Sequence, residues 1–308
     1  MSLPLPLLLD CDPGVDDAIC LLLALASQEV TVRGVQTTHG NVALTSTTRN
    51  ALDLLAFMER PDIPVYAGAA APLIRAPLYA PDIHGAGGLG TVQLPLAGQN
   101  VKAEHAVLAF IRQVREQPGQ LTVCATGPLT NLALAERLSH GVLRELRALV
   151  VMGGSIEAGA PKLGNVTAHA EFNAHADPHA LRVVLESGAN TVLFGLNLTR
   201  QVRVTRERTA ALTALGTPAA SLSADMLNGY LDLIEQRDQR VGALHDPCTV
   251  AWLLRPELFE LEPARVQVRL NEDEQLGMTV REDGEPNVQL AVKADEDGVW
   301  ALLMERLG

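Results

Sequence analysis

Four aspartates lie within eight positions near the start of the chain, in the stretch LLLDCDPGVDD (residues 7–17). Asp10 and Asp12 end an apolar run, and Asp16 and Asp17 follow a Pro-Gly turn. Carboxylates this close repel one another, and a hard cation, which takes oxygen ligands, is the usual reason to hold them together. The alternative is a strand, a turn and a capped helix, since Asp is favoured at helix N-termini. Capping accounts for one or two of these residues, but not for all four.

The segments around these aspartates alternate between predicted strands and predicted helices. Apolar runs predict strands at residues 5–9, 30–38, 63–67, 121–125, 146–152, 191–195, 264–270, 277–281 and 288–292. Periodic or capped segments predict helices at residues 16–26, 44–59, 104–116, 177–186, 205–215, 221–239 and 298–307. The alternation predicts an α/β fold with a mostly parallel twisted sheet, helices on both faces, and extra C-terminal strands and helices. No internal repeat or linker interrupts it, so we expect a single domain over residues 1–308.

Polar residues follow the other strands of this predicted sheet. The segment HGN, with Asn41, comes directly after the second strand, and TGPLTNLA, with Thr126 and Asn131, begins where the fourth strand ends. Ligands of parallel sheets bind beyond the carboxyl ends of the strands. We therefore expect these residues to share one edge of the sheet with the aspartates.

A polar insertion at residues 156–175 follows the fifth predicted strand and carries the sequence GNVTAHAEFN. Its Asn165, Glu171 and Asn173 are suited to hydrogen-bond hydroxyl groups. The alternative is that the Asn side chains satisfy backbone groups in an irregular loop.

Two histidines stand in segments of their own. His84 lies in a Gly- and Pro-rich stretch, residues 68–100, which is either a binding loop or a surface connection. His245 and Asp246 precede Pro247 and an apolar helix. Asp246 is explained equally by an N-cap with Pro at the first helical position and by a carboxylate that faces a cation.

The composition and charge of the whole chain exclude several classes of protein. It has 308 residues, 47% of them hydrophobic, and a net charge of −12 without a basic patch, which argues against a nucleic-acid partner. No apolar run approaches the roughly 18 to 20 residues of a membrane helix, and the N-terminus does not read as a signal peptide. The four cysteines are scattered without CxxC spacing, so we expect buried free thiols and a cytoplasmic location.

The motif DCDPGVDD with the later HDP resembles the nucleoside hydrolases, the inosine-uridine preferring ribohydrolases. Further segments resemble the family in the same order: HGN, HGAGGLG at residues 84–90, TGPLTNLA, MGGS at 152–155 and GNVTAHAEFN. The resemblance covers roughly residues 5–255. Two segments depart from the family pattern: Gly87 stands directly before GLG, which begins at Gly88, and LNLTR at 196–200 carries Asn197 and Arg200.

The resemblance implies hydrolysis of the N-glycosidic bond of ribonucleosides by a calcium-bound water, in nucleoside salvage. It implies carboxylate ligands for the metal from Asp12, Asp17 and Asp246, and a backbone carbonyl ligand from Thr126. It implies that Asp12 is also the general base, that His245 is the leaving-group acid and that Asp10 supports the site from behind. The residues implied on the substrate are Asp16, Asn41, His84, Asn165, Glu171 and Asn173.

The resemblance also implies a homo-oligomer, a dimer or tetramer. Aromatic residues make up only 3% of the chain, and Tyr230 is the one aromatic in the helix before His245. We therefore expect pyrimidine or broad specificity. Two alternatives remain at this point: a phosphatase of the haloacid dehalogenase type with magnesium and Asp10 as nucleophile, and a non-enzymatic nucleoside- or sugar-binding protein.

Overall fold

The computed structural model describes residues 3–156, 163–236 and 242–308. The strands in these ranges are β1 (Leu5–Cys11), β2 (Val30–Thr37), β3 (Val65–Ala67), β4 (Thr122–Ala125), β5 (Ala148–Met152), β6 (Thr191–Phe194), β7 (Arg203–Val204), β8 (Gly242–Ala243), β9 (Phe259–Val268), β10 (Thr279–Glu282) and β11 (Val288–Ala294). The helices are α1 (Val15–Leu25), α2 (Leu44–Phe57), α3 (Pro81–His84), α4 (Ala106–Glu116), α5 (Thr130–Leu138), α6 (Phe172–Ala176), α7 (Pro178–Leu185), α8 (Leu196–Thr199), α9 (Arg206–Ala214), α10 (Pro218–Glu235), α11 (Pro247–Leu254) and α12 (Glu296–Leu307). Two 3-10 helices span Val142–Glu145 and Pro256–Leu258.

Within the described residues, nine strands form one sheet in the order β10-β9-β11-β6-β5-β4-β1-β2-β3. The seven strands from β11 to β3 in this order pair in parallel, and β9 pairs antiparallel with both β11 and β10. This arrangement confirms the predicted α/β class, the mostly parallel sheet and the extra C-terminal strands. The prediction of one domain over residues 1–308 stays a prediction.

The interior strand β1 shows why both faces of the sheet are covered. Its apolar residues alternate between two cores: Leu7 and Leu9 pack into one, and Leu8 packs into the other. Helix α1 packs against α10 and α11 on the first side, and α5 packs against α4 and α7 on the second. A strand buried on both faces must be apolar throughout, and a polar side chain within it is therefore costly unless it has a partner.

Several predicted boundaries were wrong by a few residues. Helix α1 begins at Val15, so Asp16 is not an N-cap. Helix α10 begins at Pro218, because the Thr217 hydroxyl accepts a hydrogen bond from the Ala220 N–H and caps it. Its predicted end, residues 237–239, lies outside the described residues, as do residues 157–162 of the predicted polar insertion. Strand β9 begins at Phe259, five residues before its predicted start at residue 264.

The short elements α3, α6, α8, β7 and β8 were not predicted, since two to five residues carry no periodic signal. None of the described helices is long and apolar enough to cross a membrane. The four cysteines are free and buried, as predicted.

Candidate active site

The acidic cluster is built where β1 ends and α1 begins. Asp17 is the third residue of α1, and its Oδ2 accepts a hydrogen bond from the Gly14 N–H (3.0 Å). Its Oδ1 accepts a hydrogen bond from the hydroxyl of Thr126 (2.8 Å), the residue that directly follows β4. Asp17 thus caps α1 and also ties it to the neighbouring strand.

Three carboxylates converge at this position. Asp16, Asp17 and Asp246 each offer an oxygen, and these oxygens lie within 4.8 Å of one another. Burial raises the pKa of Asp246 well above its usual value, and the charges of Asp16 and Asp17 raise it further. The side chain of Asp246 makes no capping hydrogen bond to the described residues at the start of α11, so capping does not explain it.

Asp12 lies next to this group and is completely buried. Its Oδ2 accepts the Asn41 N–H at 2.6 Å, and its Oδ1 has no hydrogen-bond partner among the described residues. Burial, and then the charge of Asp17, raise its pKa well above the usual value. Two glycines make room for this carboxylate, because a Cβ at Gly40 or Gly127 would lie 1.9 Å or 2.7 Å from its oxygens.

These observations fit a hard cation. All donors are oxygens, one buried carboxylate oxygen is unpartnered, and the crowded charges need compensation. The trio that converges includes Asp16, for which we predicted a substrate contact, whereas the place of Asp12 among the ligands stays a prediction.

Asp10 lies behind the cluster and does not line the cavity described below. Burial raises its pKa to about 7, which its hydrogen bond from Asn131 partly opposes. The Asn131 amide donates to Asp10 Oδ2 (3.0 Å) and to the Thr37 carbonyl (3.2 Å), and its oxygen accepts the Ala69 N–H (2.8 Å). Asn131, which we expected only to lie near this edge, therefore joins the ends of β1 and β2.

A cavity of about 890 Å³ opens above the acids. Nine of the predicted site residues line it: Asp16, Asn41, His84, Thr126, Asn165, Glu171, Asn173, His245 and Asp246. Asp10, Asp12 and Asp17 are buried beneath this wall.

The amide and carboxylate groups around the cavity also organise its walls. Glu171 caps α6 and accepts hydrogen bonds from the backbone N–H groups of Gly154, Asn173 and Ala174 at 2.9 to 3.0 Å. The Asn173 amide donates to the Thr126 carbonyl at 2.7 Å. The Asn41 amide donates to Asp17 Oδ2 at 2.9 Å. The polar residues therefore orient the acids and the carbonyl that stand nearest to them.

The two histidines are held in different ways. His84 Nδ1 accepts the Val15 N–H (3.1 Å) and lies 4.0 Å from Asp16. His245 Nδ1 lies 2.8 Å from the Thr199 hydroxyl. Burial lowers the pKa of His84 to about 4 and, with the charge of Arg200, that of His245 to about 3. Desolvation causes both shifts, because it disfavours the charged form of the imidazole ring.

Sequence reasoning missed part of the cavity lining. Tyr79, Phe172 and Arg200 line the cavity together with Tyr230. Arg200 had a usable signal, since LNLTR follows the carboxyl end of β6. Tyr79 lies in a loop and Phe172 begins the five-residue helix α6, and neither segment has a periodic pattern. The low aromatic content therefore concealed three aromatic residues at one site.

Fold and site together define an α/β protein whose acidic cluster meets amide and carboxylate side chains around one cavity at the carboxyl edge of the sheet. The family profile described as inosine-uridine preferring nucleoside hydrolase matches residues 7–301. The pyrimidine-specific ribonucleoside hydrolase RihA of Citrobacter koseri is 38% identical over 312 residues, which is 98% of each chain.

Two solved structures are also similar. The plant nucleoside hydrolase PpNRh1 superposes with a TM-score of 0.91 at 32% identity over 99% of both chains. The purine-preferring ribonucleoside hydrolase of Gardnerella vaginalis gives 0.91 at 31% identity over 98% of both. The chain belongs to the inosine-uridine preferring nucleoside hydrolase family and is an N-ribosyl hydrolase. The two alternatives from the sequence, a phosphatase and a non-enzymatic binding protein, are therefore set aside.

Proposed function

We propose that this enzyme uses calcium to hydrolyse the N-glycosidic bond of ribonucleosides, giving ribose and a free nucleobase. The observation that carries the proposal is the convergence of the Asp16, Asp17 and Asp246 carboxylates below the cavity. Side chains suited to ribose hydroxyls surround the same cavity, so one ligand would contact both groups.

Asp12, Asp17 and Asp246 would hold the ion through carboxylates and Thr126 through its backbone carbonyl. Calcium takes roughly six to eight oxygen ligands, which leaves places for substrate hydroxyls and water. When bound, the ion would offset the clustered negative charge, orient the ribose hydroxyls and polarise the attacking water. Asn173 supports this assignment, since its amide orients the Thr126 carbonyl.

Asp12 is the proposed general base. Its unpartnered Oδ1 would accept a proton from the attacking water, while the Asn41 N–H fixes the other oxygen. The water oxygen bonds to C1′ as the bond from C1′ to the base nitrogen breaks. The electron pair of that bond stays on the base, which gains one proton overall, and carboxylates near the ring stabilise the oxocarbenium-like transition state.

The remaining residues would bind substrate. Five side chains are proposed to bind the ribose: Asp16, Asn41, Asn165, Glu171 and Asn173. His84 would contact the substrate next to Asp16. Asp10 would support the acidic cluster from behind. His245 is the proposed hydrogen donor to the departing base. Because burial keeps its ring uncharged, it would act through an N–H group.

We also propose pyrimidine or broad base specificity, a role in nucleoside salvage in the cytoplasm, and a homodimeric or homotetrameric assembly. The relative from Citrobacter koseri is named as pyrimidine-specific, which supports specificity for pyrimidines. The structural neighbour from Gardnerella vaginalis is named as purine-preferring, which supports a broader specificity. A panel of uridine, cytidine and inosine, read by ribose release, decides the specificity. Light scattering in solution decides the assembly.

The decisive experiment measures ribose release before and after removal of calcium with a chelator. Activity should vanish with the chelator and return with added calcium. Asp12→Asn should abolish turnover while the protein stays folded, and Asp225→Asn, which changes an exposed acid of α10, is the matched control. Full activity in the chelator would contradict the role of calcium, and near-native turnover by Asp12→Asn would contradict the assigned base.

A further inference from the structure

Helix α8 holds a residue that the reaction above leaves unused. Thr199 is its last residue and is completely buried. The Thr199 hydroxyl lies 2.8 Å from Nδ1 of His245, a ring that lines the cavity. With Nδ1 engaged by a buried hydroxyl, Nε2 is the ring nitrogen left for a ligand.

The backbone around this pair is rigidly held. The Asn197 amide donates to the Ala291 carbonyl (3.0 Å), which anchors α8 to β11. The Leu244 N–H donates to the Val202 carbonyl (2.8 Å), beside the antiparallel pair of β7 and β8. These contacts tie the chain on both sides of the pair, so the distance from Thr199 to His245 is a property of the fold.

We propose that Thr199 is a positioning residue for departure of the base, an inference that rests on the proposed function. Its hydroxyl donates to Nδ1, which leaves a ring hydrogen of His245 on Nε2. That N–H then donates a hydrogen bond to the leaving base. It stabilises the electron pair that the base takes from the bond to C1′, and the proton released by the attacking water balances the one that the base gains.

Two substrates with the same ribose separate this role from a purely structural one. Uridine needs stabilisation of its departing base, whereas 4-nitrophenyl β-ribofuranoside releases a stable phenolate. We expect Thr199→Val to lower kcat on uridine by about 10-fold to 100-fold and on the nitrophenyl riboside by less than about threefold. Thr199→Ser, which keeps the hydroxyl, should restore uridine cleavage to within about threefold of the native rate.

A second buried pair of the same kind provides the control. The Thr130 hydroxyl lies 3.0 Å from Nε2 of His39 and donates to Asp177. Neither Thr130 nor His39 lines the cavity. Thr130→Val should therefore change both substrates by the same factor.

Equal loss on both substrates for Thr199→Val, or no loss on either, would overturn the inference and leave the proposed function intact. If that variant does not fold, Thr199→Ala removes the hydroxyl with less bulk and is judged by the same ratio. A native enzyme that cleaves neither substrate would contradict the proposed function, and the inference with it.

Discussion

The amide of Asn131 donates a hydrogen bond of 3.0 Å to Oδ2 of Asp10, and the other oxygen of Asp10 has no partner among the described residues. This contact joins the start of α5 to the carboxyl end of β1. Both side chains are almost completely buried, and Asn131 also contacts the ends of two further segments through Thr37 and Ala69. One amide therefore serves as the junction beneath the proposed metal site.

Removal of this amide should destabilise the protein. Asn131→Ala leaves Asp10 and two backbone groups without their partner, and we expect a loss of about 2 to 4 kcal/mol in the free energy of unfolding. Urea unfolding in chelator measures it. Asn190→Ala, which changes an exposed Asn whose amide also donates to a backbone carbonyl, should cost under about 1 kcal/mol. Equal costs for the two variants would contradict the junction role.

Gly40 should be essential for turnover. A Cβ at Gly40 would lie 1.9 Å from Asp12 Oδ2, so Gly40→Ala must displace that carboxylate. A displacement of about 1 Å at a catalytic group costs about 100-fold in rate, which is the loss we expect in ribose release. A Cβ at Gly87 meets nothing within 4 Å, so Gly87→Ala is the control with native rate. Native activity in Gly40→Ala would show that Asp12 need not keep this position.

Calcium should stabilise the fold through Asp246. At about a hundredfold excess over its dissociation constant, a ligand that binds only the native state adds about 3 kcal/mol. We expect this increment between chelator and calcium for the native protein, measured by urea unfolding, and most of it should disappear in Asp246→Asn. The Asp225→Asn control should keep the full increment. An unchanged increment in Asp246→Asn would remove this residue from the ligand set.

The stability of the protein should fall in mild acid because of His39. Burial lowers the pKa of His39 to about 4, which the charge of Asp177 partly opposes. In the unfolded chain the pKa of His39 is about 6.5, so between about pH 6.5 and pH 4 the unfolded chain binds more protons than the folded protein. The contribution of uncharged His39 to stability is therefore fully present above about pH 6.5 and is lost progressively toward pH 4. From about pH 7.5 to pH 5.5 the His39 contribution is a loss of about 1 kcal/mol.

His39→Gln isolates this contribution, because the other titrating groups cancel when the two proteins are compared. Urea unfolding at both pH values in chelator should give a smaller decline for the variant by about 1 kcal/mol. Parallel declines would show that His39 is charged in the folded protein.

Local patterns in the sequence determined most of the fold. Apolar runs that alternate with periodic segments predicted the parallel sheet, because strand and helix periods are properties of neighbouring residues. The rule that ligands bind beyond strand ends placed DCDPGVDD, HGN and TGPLTNLA on one edge, and the structure brings them together there. The ordered motifs led to the family. Short helices such as α3 and α8 were not predicted, because a single helical turn shows no periodic pattern in the sequence.

Tertiary structure alone decided how the site residues relate to one another. It grouped Asp16 with Asp17 and Asp246, placed His245 next to Thr199, and brought three aromatic residues to the lining of one cavity. It also lowered the pKa of His245, which the residue type alone places near neutrality. These features depend on burial and on contacts between segments far apart in the chain. Desolvation and long-range packing cannot be predicted from the pattern of neighbouring residues.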